Sequence, residues 1–244
     1  MSTIATTKDL KSEIVNRFHN TDFAVGIEHR KKAIANFEKL GLPLAKSEEY
    51  RFTPITKNLE KNFSWAEPNS PSSIESVTPF LIPGVDATVL VFVNGSYSST
   101  LSSSIDESSE VKIMSLSEAL QTRKGLVGNY FDQLVNSELD AFAAINTAFW
   151  QEGVLIHVPE NIIAKKPILI LHIADASTSQ VIAHNRVLTI VEKNSELTLI
   201  EKFDTVGVHP VFHTTSAEIA LMENSQLEYC KIQNDPGNTY HVSN

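Results

Sequence analysis

The sequence predicts a mainly β protein whose core is a parallel β-helix, preceded by an α-helical N-terminal region. In the first 63 positions, apolar residues recur at helical spacing. From Val154 onward, short β-rich runs follow one another with turn residues between them. Residues 189–199 (TIVEKNSELTL) align without a gap to residues 219–229 (IALMENSQLEY), at an offset of 30. A strand–turn–strand unit of that length suits one coil of a β-helix better than the short hairpins of a sandwich.

Residues 1–63 are predicted to form an N-terminal region of three helices, each with one apolar stripe. The second helix is expected to begin near Asp22 and to end at Gly41. The third is expected to have Thr53 as N-cap and Pro54 as its first residue. The three stripes consist of Leu10, Ile14 and Phe18, then of Ala33, Ile34, Phe37 and Leu40, and then of Ile55, Leu59 and Phe63.

Residues 64–153 are predicted to form a Ser/Pro-rich excursion that contains one β-hairpin and two helices. The hairpin signal is a β-rich run that ends in Asn-Gly, and the helix signals are capping residues. The hairpin is predicted from the run 87–93, which is followed by Asn94-Gly95. The first helix is predicted to begin at the capping box Ser115–Glu118 and to run to about Val135. The second is predicted to have Ser137 as its cap and to end near Gly153.

Residues 154–244 are predicted to form the β-helix itself. The pairs Asn194-Ser195 and Asn224-Ser225 are expected at equivalent corners of successive coils, with Leu197 and Leu227 stacked inside. The predicted strands are residues 154–158, 168–173, 187–191, 197–200, 219–222 and 227–232.

Charge and composition exclude several classes of protein. The 244 residues carry a formal net charge of −9, and residues 62–244 hold 9 Lys/Arg against 21 Asp/Glu. That acidic body argues against nucleic acid as a partner. No apolar run approaches the roughly 18 residues of a membrane helix, so no membrane association is expected. The single cysteine, Cys230, favours a reducing compartment, and a cytoplasmic location is expected.

No residue is predicted to be catalytic or to bind a metal. Loops that bind nucleotide phosphates and dinucleotides are absent from the sequence, as is the nucleophile elbow of hydrolases. His209 and His213 are four apart, but Pro210 makes a helix between them unfavourable, and they are predicted to lie in a loop as ordinary histidines. Cys230 is predicted to be a packing residue of a strand, with Leu227 and Tyr229 on the opposite face.

Three aspartates leave a second interpretation open. Asp175, Asp204 and Asp235 are spaced by 29 and 31 residues, close to the repeat length. One carboxylate per coil on one side is how β-helical polysaccharide lyases and hydrolases assemble acid/base pairs or a calcium site. Because aspartate also favours turns and turns recur once per coil, ordinary turn residues are the preferred interpretation.

Several segments resemble one family in order along nearly the whole chain. Residues 30–53 (RKKAIANFEKLGLPLAKSEEYRFT) are similar to the N-terminal signature of SufD, a subunit of the SufBCD iron–sulfur cluster assembly complex of the SufB/SufD family. The further matches are residues 91–95 (VFVNG), 140–159 (DAFAAINTAFWQEGVLIHVP), 185–203 (NRVLTIVEKNSELTLIEKF) and 227–233 (LEYCKIQ), with His241 following.

This resemblance implies a right-handed parallel β-helix and a non-catalytic scaffold subunit in the cytosol. The implied partners are a SufB-like subunit and a SufC-like ATPase, and the cluster is assembled by the complex, with no cofactor bound by this chain alone. Family members are considerably longer, so the chain is expected to stop within the solenoid. A homodimer that joins two solenoids is expected when the chain is isolated. The alternative function is the β-helical carbohydrate-active enzyme that would use Asp175, Asp204 and Asp235.

Overall fold

The computed structural model describes residues 9–44, 46–66, 69–105 and 109–244. Three helices come first, and the apolar stripes that the spacing predicts are buried, except that Leu40 at the end of the second stripe is exposed. The second helix starts later than expected because Gly26, with φ of 71°, is its N-cap, and it ends at Gly41 as predicted. Pro54 is the N-cap of the third helix rather than its first residue. These helices are α1 (Leu10–His19), α2 (Ile27–Leu40) and α3 (Ile55–Asn62).

The excursion contains the predicted hairpin and a strand that the sequence analysis missed. The hairpin turns at Asn94-Gly95, where both residues have positive φ, and it pairs Phe92 with Tyr97. A short strand, residues 112–115, then pairs antiparallel with the first strand of the last region. The elements in order are β1 (Thr88–Val93), β2 (Ser96–Tyr97), β3 (Lys112–Ser115), α4 (Leu116–Thr122), α5 (Lys124–Val127) and α6 (Ala141–Phe149).

The bounds of both predicted helices in this region need correction. Ser115 caps α4 as expected, since its Oγ accepts the Glu118 N–H at 3.1 Å, but the helical path ends at Val127 and not near Val135. Beyond it, the backbone N–H groups of residues 132–135 donate to the Glu218 carboxylate instead of to helical carbonyls. The N-cap of α6 is Asp140 and not Ser137, because the Asp140 Oδ1 accepts the Ala143 N–H at 2.7 Å. This helix ends at Phe149 and not near Gly153, which lies in the strand that follows.

The last region forms a parallel β-solenoid of about three turns. One sheet has the strand order β2-β1-β5-β7-β9 and the other β10-β8-β6-β4-β3, and every pair except β1–β2 and β3–β4 is parallel. The strands are longer than predicted, and the last one was missed. They are β4 (Glu152–Val158), β5 (Ile168–Ala176), β6 (Val181–Val191), β7 (Glu196–Gly207), β8 (Val211–Leu221), β9 (Gln226–Asn234) and β10 (Thr239–Ser243).

The predicted repeat is confirmed in the register of the sheets. Residues 30 apart pair along β6–β8 and β7–β9, and Leu197 lies directly beside Leu227. Leu197 is buried in the interior, and Leu227 packs against the same cluster while partly buried. At the corner, Asn224 Nδ2 donates to Asn194 Oδ1 at 2.9 Å, and Asn194 Nδ2 donates to Asn161 Oδ1 at 3.0 Å. All three asparagines have left-handed backbones, which explains why this side chain recurs there.

The solenoid is covered on its outer faces by the rest of the chain. The N-terminal helices and α6 pack against the sheet that contains β6 and β8, where Ile182 and Phe212 join their apolar cluster. Residues 74–87 lie over β1 and β5 of the other sheet. Among the described helices, none is long and apolar enough to cross a membrane.

Candidate functional site

The three aspartates of the second interpretation do not form a row of carboxylates. Asp204 has Ile173 and Asn234 as its neighbours across the sheet, while Asp175 lies beside Val206. Asp175 is buried, and hydrogen bonds from Ser72 and Ser73 to its carboxylate hold the residue 69–87 segment to the sheet, while the Ser177 N–H donates to its other oxygen. Burial would raise the pKa of Asp175, but these hydrogen bonds lower it to about 2. Asp235 accepts from Thr205, which faces the solenoid interior.

The interior of the solenoid, in contrast, carries an unexpected group of polar side chains. We call it the interior polar cluster. Side chains alternate between the two faces of each strand, and these polar residues lie on the face that also carries the apolar interior residues. Glu201, for example, is two positions after the buried Leu199 in β7 and therefore points to the same side. The cluster consists of His172, Asn185, Glu201, His213, Tyr229, Lys231 and His241.

Glu201 is the centre of the first part of this cluster. Its carboxylate is fully buried and accepts from His172 Nε2 at 3.0 Å and from the Tyr229 hydroxyl. The His172 ring is stacked against Phe203, with 4.4 Å between ring centroids. Burial alone would raise the pKa of Glu201, but the hydrogen bonds from His172 and Tyr229 prevail and lower it. The pKa of Tyr229 is raised by its burial and by the Glu201 charge.

His213 forms the second part, and its placement corrects the sequence prediction. It lies in β8 rather than in a loop, it is buried, and its Nε2 donates to Asn185 Oδ1 at 2.8 Å. Its ring contacts those of His172 and His241, with centroids 5.5 and 5.3 Å apart. Burial, with smaller effects from those two histidines, holds the pKa of His213 well below its usual range. His213 is therefore neutral at physiological pH.

The end of the cluster at β9 and β10 places serine, histidine and aspartate in the order of a hydrolytic triad. The Ser243 hydroxyl lies 2.8 Å from His241 Nε2, but His241 Nδ1 is 4.0 Å from Asp235. The Gln233 amide instead donates to Nδ1 at 3.0 Å, which leaves the proton on Nε2. That tautomer cannot take a proton from Ser243, so this geometry does not support nucleophilic catalysis.

The cluster does not offer a metal centre. Within the described ranges, no three or more histidine, cysteine, aspartate or glutamate side chains are placed to hold a metal ion. Cys230 lies in β9, but it is exposed, so the prediction that it packs in the strand is wrong. Tyr229 faces the interior beside it, as the alternation predicts. What the cluster provides is a set of hydrogen bonds between coils. One sequence signal could have revealed the cluster: a polar residue at a position that the strand alternation places in the interior. Glu201 is such a residue, because it continues the alternating series Leu197, Leu199.

The N-terminal signature has a clear structural role. Arg30 donates to the carbonyls of Ala148 and Trp150 at 3.0 and 2.9 Å, where α6 ends, and its guanidinium lies over the Trp150 ring. The Tyr50 hydroxyl donates to Asp140, the N-cap of α6, at 2.8 Å. Both ends of α6 are therefore fixed by the N-terminal region. Burial lowers the pKa of Arg30 to about 10, which keeps it charged.

A buried ion pair connects the excursion to the solenoid. Arg186 Nη2 lies 2.7 Å from Glu218 Oε2, both side chains are buried, and Arg186 also donates to Thr147 of α6 at 2.6 Å. The same Glu218 carboxylate accepts the backbone N–H groups of residues 132–135. Both charges are thus paired and hydrogen-bonded, the condition under which burial of charge is tolerated.

Comparison with known families agrees with this architecture. Residues 2–170 match the family model of the SufBD protein N-terminal region, and residues 172–244 match that of the SufBD core domain of the SUF system for FeS cluster assembly. The chain belongs to the SufBD family. The border between the two matches lies within β5, so the N-terminal SufBD region includes the first strands of the solenoid.

Curated SufBD relatives are similar at low identity over most of this chain. An iron–sulfur cluster assembly SufBD family protein of Synechocystis sp. (strain ATCC 27184 / PCC 6803 / Kazusa) is 25% identical, with 91% of this chain and 51% of the relative aligned. One from Staphylococcus aureus (strain MRSA252) is 26% identical over 97% of this chain and 52% of its own length. The chain spans about half the length of these curated relatives.

Proposed function

We propose that this chain acts as a non-catalytic, SufD-like scaffold in a cytoplasmic iron–sulfur cluster assembly complex. The observation that carries the proposal is the pair of SufBD matches, which together cover residues 2–170 and 172–244. The N-terminal signature resembles that of SufD rather than SufB, and its Arg30 and Tyr50 hold α6 in place. The cluster under assembly is the cargo of the complex, and no residue of this chain is assigned to it.

The partners in this proposal are a SufB-like subunit and a SufC-like ATPase. The two sheets end in β9 and β10, and each of these strands has one hydrogen-bonded neighbour among the described strands. Backbone donors and acceptors on their outer edges are therefore open to a further strand. A SufB-like solenoid would continue the sheets there, and a second copy of the chain would do so when it is isolated. ATP hydrolysis would come from the SufC-like subunit.

The experiment is co-purification with both partners followed by cluster assembly. The tagged full-length protein is expressed with SufB-like and SufC-like proteins of the same organism, and the complex is supplied with iron and sulfide. We expect a ternary complex, ATPase activity that depends on the SufC-like subunit, and visible absorption of a cluster that depends on this chain. A chain that recovers neither partner, or that cleaves polysaccharides when pure, would overturn the proposal.

A further inference from the structure

A small cavity lies on the outer side of the solenoid, where strands β3 and β4 meet the junction of helices α4 and α5. Its volume is about 200 Å³, less than the roughly 300–1,000 Å³ of pockets that enclose a drug-sized ligand. We call it the β3–α5 cavity. Three apolar side chains and two cationic ones line it, together with a histidine and a proline. Its lining therefore combines an apolar surface with positive charge.

The apolar part of the lining is built into the core beneath α4 and α5. Leu155 is buried, and Met114 lies directly opposite it in the antiparallel β3–β4 pair, so both side chains are on the same face of the sheet. Leu126 of α5 packs against the same apolar cluster from the helical side. This part of the cavity is therefore preformed, and it offers a surface for the hydrocarbon portion of a ligand.

Positive charge is concentrated at the cavity, although this part of the chain is acidic. Lys112 and His157 are register partners across β3 and β4, and Arg123 approaches from the end of α4. The Lys112 Nζ donates to the Ser109 carbonyl at 2.7 Å, and His157 Nε2 lies 3.3 Å from Glu192. Within the described ranges, no carboxylate lines the cavity itself.

Arg123 differs from most cations of this region in having no carboxylate partner. Residues 62–244 hold 9 Lys/Arg, and five of these side chains form ion pairs: Lys165, Lys166, Arg186, Lys193 and Lys202. The Arg123 side chain is exposed, and it makes no hydrogen bond or ion pair with any residue that the structure describes. A guanidinium presents a planar set of donors that matches the two oxygens of a carboxylate or phosphate group. The unpaired donors of Arg123 are thus suited to an oxyanion.

We propose that the β3–α5 cavity binds a small organic anion, in which a carboxylate or phosphate group is attached to a short hydrocarbon part. Arg123 binds the oxyanion through paired N–H donors, and Lys112 adds a second positive charge beside it. The hydrocarbon part lies on the apolar floor that Met114, Leu126 and Leu155 form. This binding does not depend on the partners or on the scaffold role proposed above.

Titration of the isotope-labelled full-length chain, followed by amide chemical shifts in NMR, tests the proposal. The probes are phenyl phosphate and benzoate, and the controls are benzyl alcohol, benzylamine and inorganic phosphate. We expect saturable shifts for at least one probe, confined to the amides of residues 112–115, 123–127 and 155–157, and the tighter probe identifies the preferred oxyanion. Benzyl alcohol and benzylamine lack the anion and inorganic phosphate lacks the ring, so all three should bind more weakly. Shifts spread over the surface, or equal binding of benzylamine, would overturn the proposal.

Substitutions of the two cations then measure their contributions to binding of the tighter probe. Arg123→Gln should raise the Kd about tenfold or more, and Lys112→Gln should raise it by a smaller factor. Arg51→Gln, at an exposed arginine that does not line the cavity, is the matched control and should leave the Kd unchanged. Because Arg123 is exposed, its replacement should preserve the fold, and the amide shifts outside the cavity check this. A Kd that neither Arg123→Gln nor Lys112→Gln alters would show that the β3–α5 cavity is not an anion site.

Discussion

Glu201 places a negative charge inside the solenoid, where it is held by residues of two neighbouring coils. Its carboxylate accepts from the buried His172 at 3.0 Å and from the partly exposed Tyr229, so Glu201→Ala leaves the buried His172 without this partner. We expect this variant to lose about 3–5 kcal/mol of unfolding free energy. Urea denaturation near neutral pH measures the loss, and Glu228→Ala on the exposed face of β9 is the control. An unchanged midpoint for Glu201→Ala would show that the cluster contributes nothing to stability.

His184 makes stability depend on pH at the level of a single residue. It is buried among Trp65, Phe149 and Phe212, and burial, with a smaller effect from Arg17, lowers its pKa from 6.5 to about 3. Below pH 6.5 the unfolded chain binds a proton that the folded chain does not, so stability is full above that value and falls as the pH decreases. The expected slope for His184 is about 1.4 kcal/mol per pH unit.

The pH dependence is checked by urea denaturation from about pH 7 to about pH 5. The depressed pKa values of His213 and His241 act in the same direction, so the wild-type chain loses more than the His184 contribution. His184→Phe should remove the His184 contribution, so the unfolding free energy of this variant should fall less steeply as the pH decreases. His209→Gln, which replaces an exposed histidine, is the control and should keep the wild-type slope. Identical slopes for wild type and His184→Phe would show that the pKa of His184 is the same in the folded and unfolded chains.

At the scale of single elements, the sequence predicted what local patterns determine. The three N-terminal helices follow from apolar spacing, the β1–β2 hairpin from Asn94-Gly95, and the solenoid from the 30-residue repeat. The start of α6 was wrong because Asp140 caps it rather than Ser137, and the end of the preceding helix was wrong because a side chain distant in sequence binds the backbone there. Glu218 binds the backbone N–H groups of residues 132–135, so these residues do not continue the helix that was expected to reach Val135. Such competition between distant groups leaves no signal in a local window.

The interior polar cluster was missed for a similar reason. His172 and Glu201 are 29 residues apart, and their pairing is visible only once β5 and β7 are in register. The aspartates suggested a site instead, because the spacings between Asp175, Asp204 and Asp235 are close to the repeat length. Spacing alone does not decide which face of a strand a residue occupies or which neighbour it meets. A shift of two residues in register separates Asp204 from Asp175.

Replacing two stacked leucines tests how much the packing between neighbouring coils contributes to the free energy of unfolding. Leu197 and Leu227 are register neighbours, but Leu197 is buried and Leu227 is only partly buried. Leu197→Ala should therefore cost about 2–5 kcal/mol, and Leu227→Ala clearly less, because the transfer and cavity contributions both scale with burial. Urea denaturation of the two variants makes the comparison. Equal losses would mean that β9 is as deeply packed as β7.

At the scale of the whole molecule, the two ends of the solenoid differ. At the β1–β4 end, the antiparallel strands β2 and β3 close the two sheets. At the other end, β9 and β10 have outer edges with no strand beside them among the described residues. The net negative charge of this part of the chain opposes self-association, because residues 62–244 hold 9 Lys/Arg and 21 Asp/Glu. Edge pairing must therefore overcome electrostatic repulsion, and salt should strengthen it.

We expect the isolated chain to form a homodimer or larger assembly through these edges at low micromolar concentration. Sedimentation velocity should show a species larger than the 27.0 kDa monomer, and its fraction should rise with salt concentration. Cys230→Lys places a charge on the exposed face of β9 and should shift the population toward monomer, because lysines on edge strands oppose pairing. Val208→Lys, in the β7–β8 turn, is the matched control and should leave the assembly unchanged. A monomer at every salt concentration would mean that the β9 and β10 edges do not pair with a second copy. If both lysine variants dissociated equally, the assembly would depend on net charge rather than on these edges.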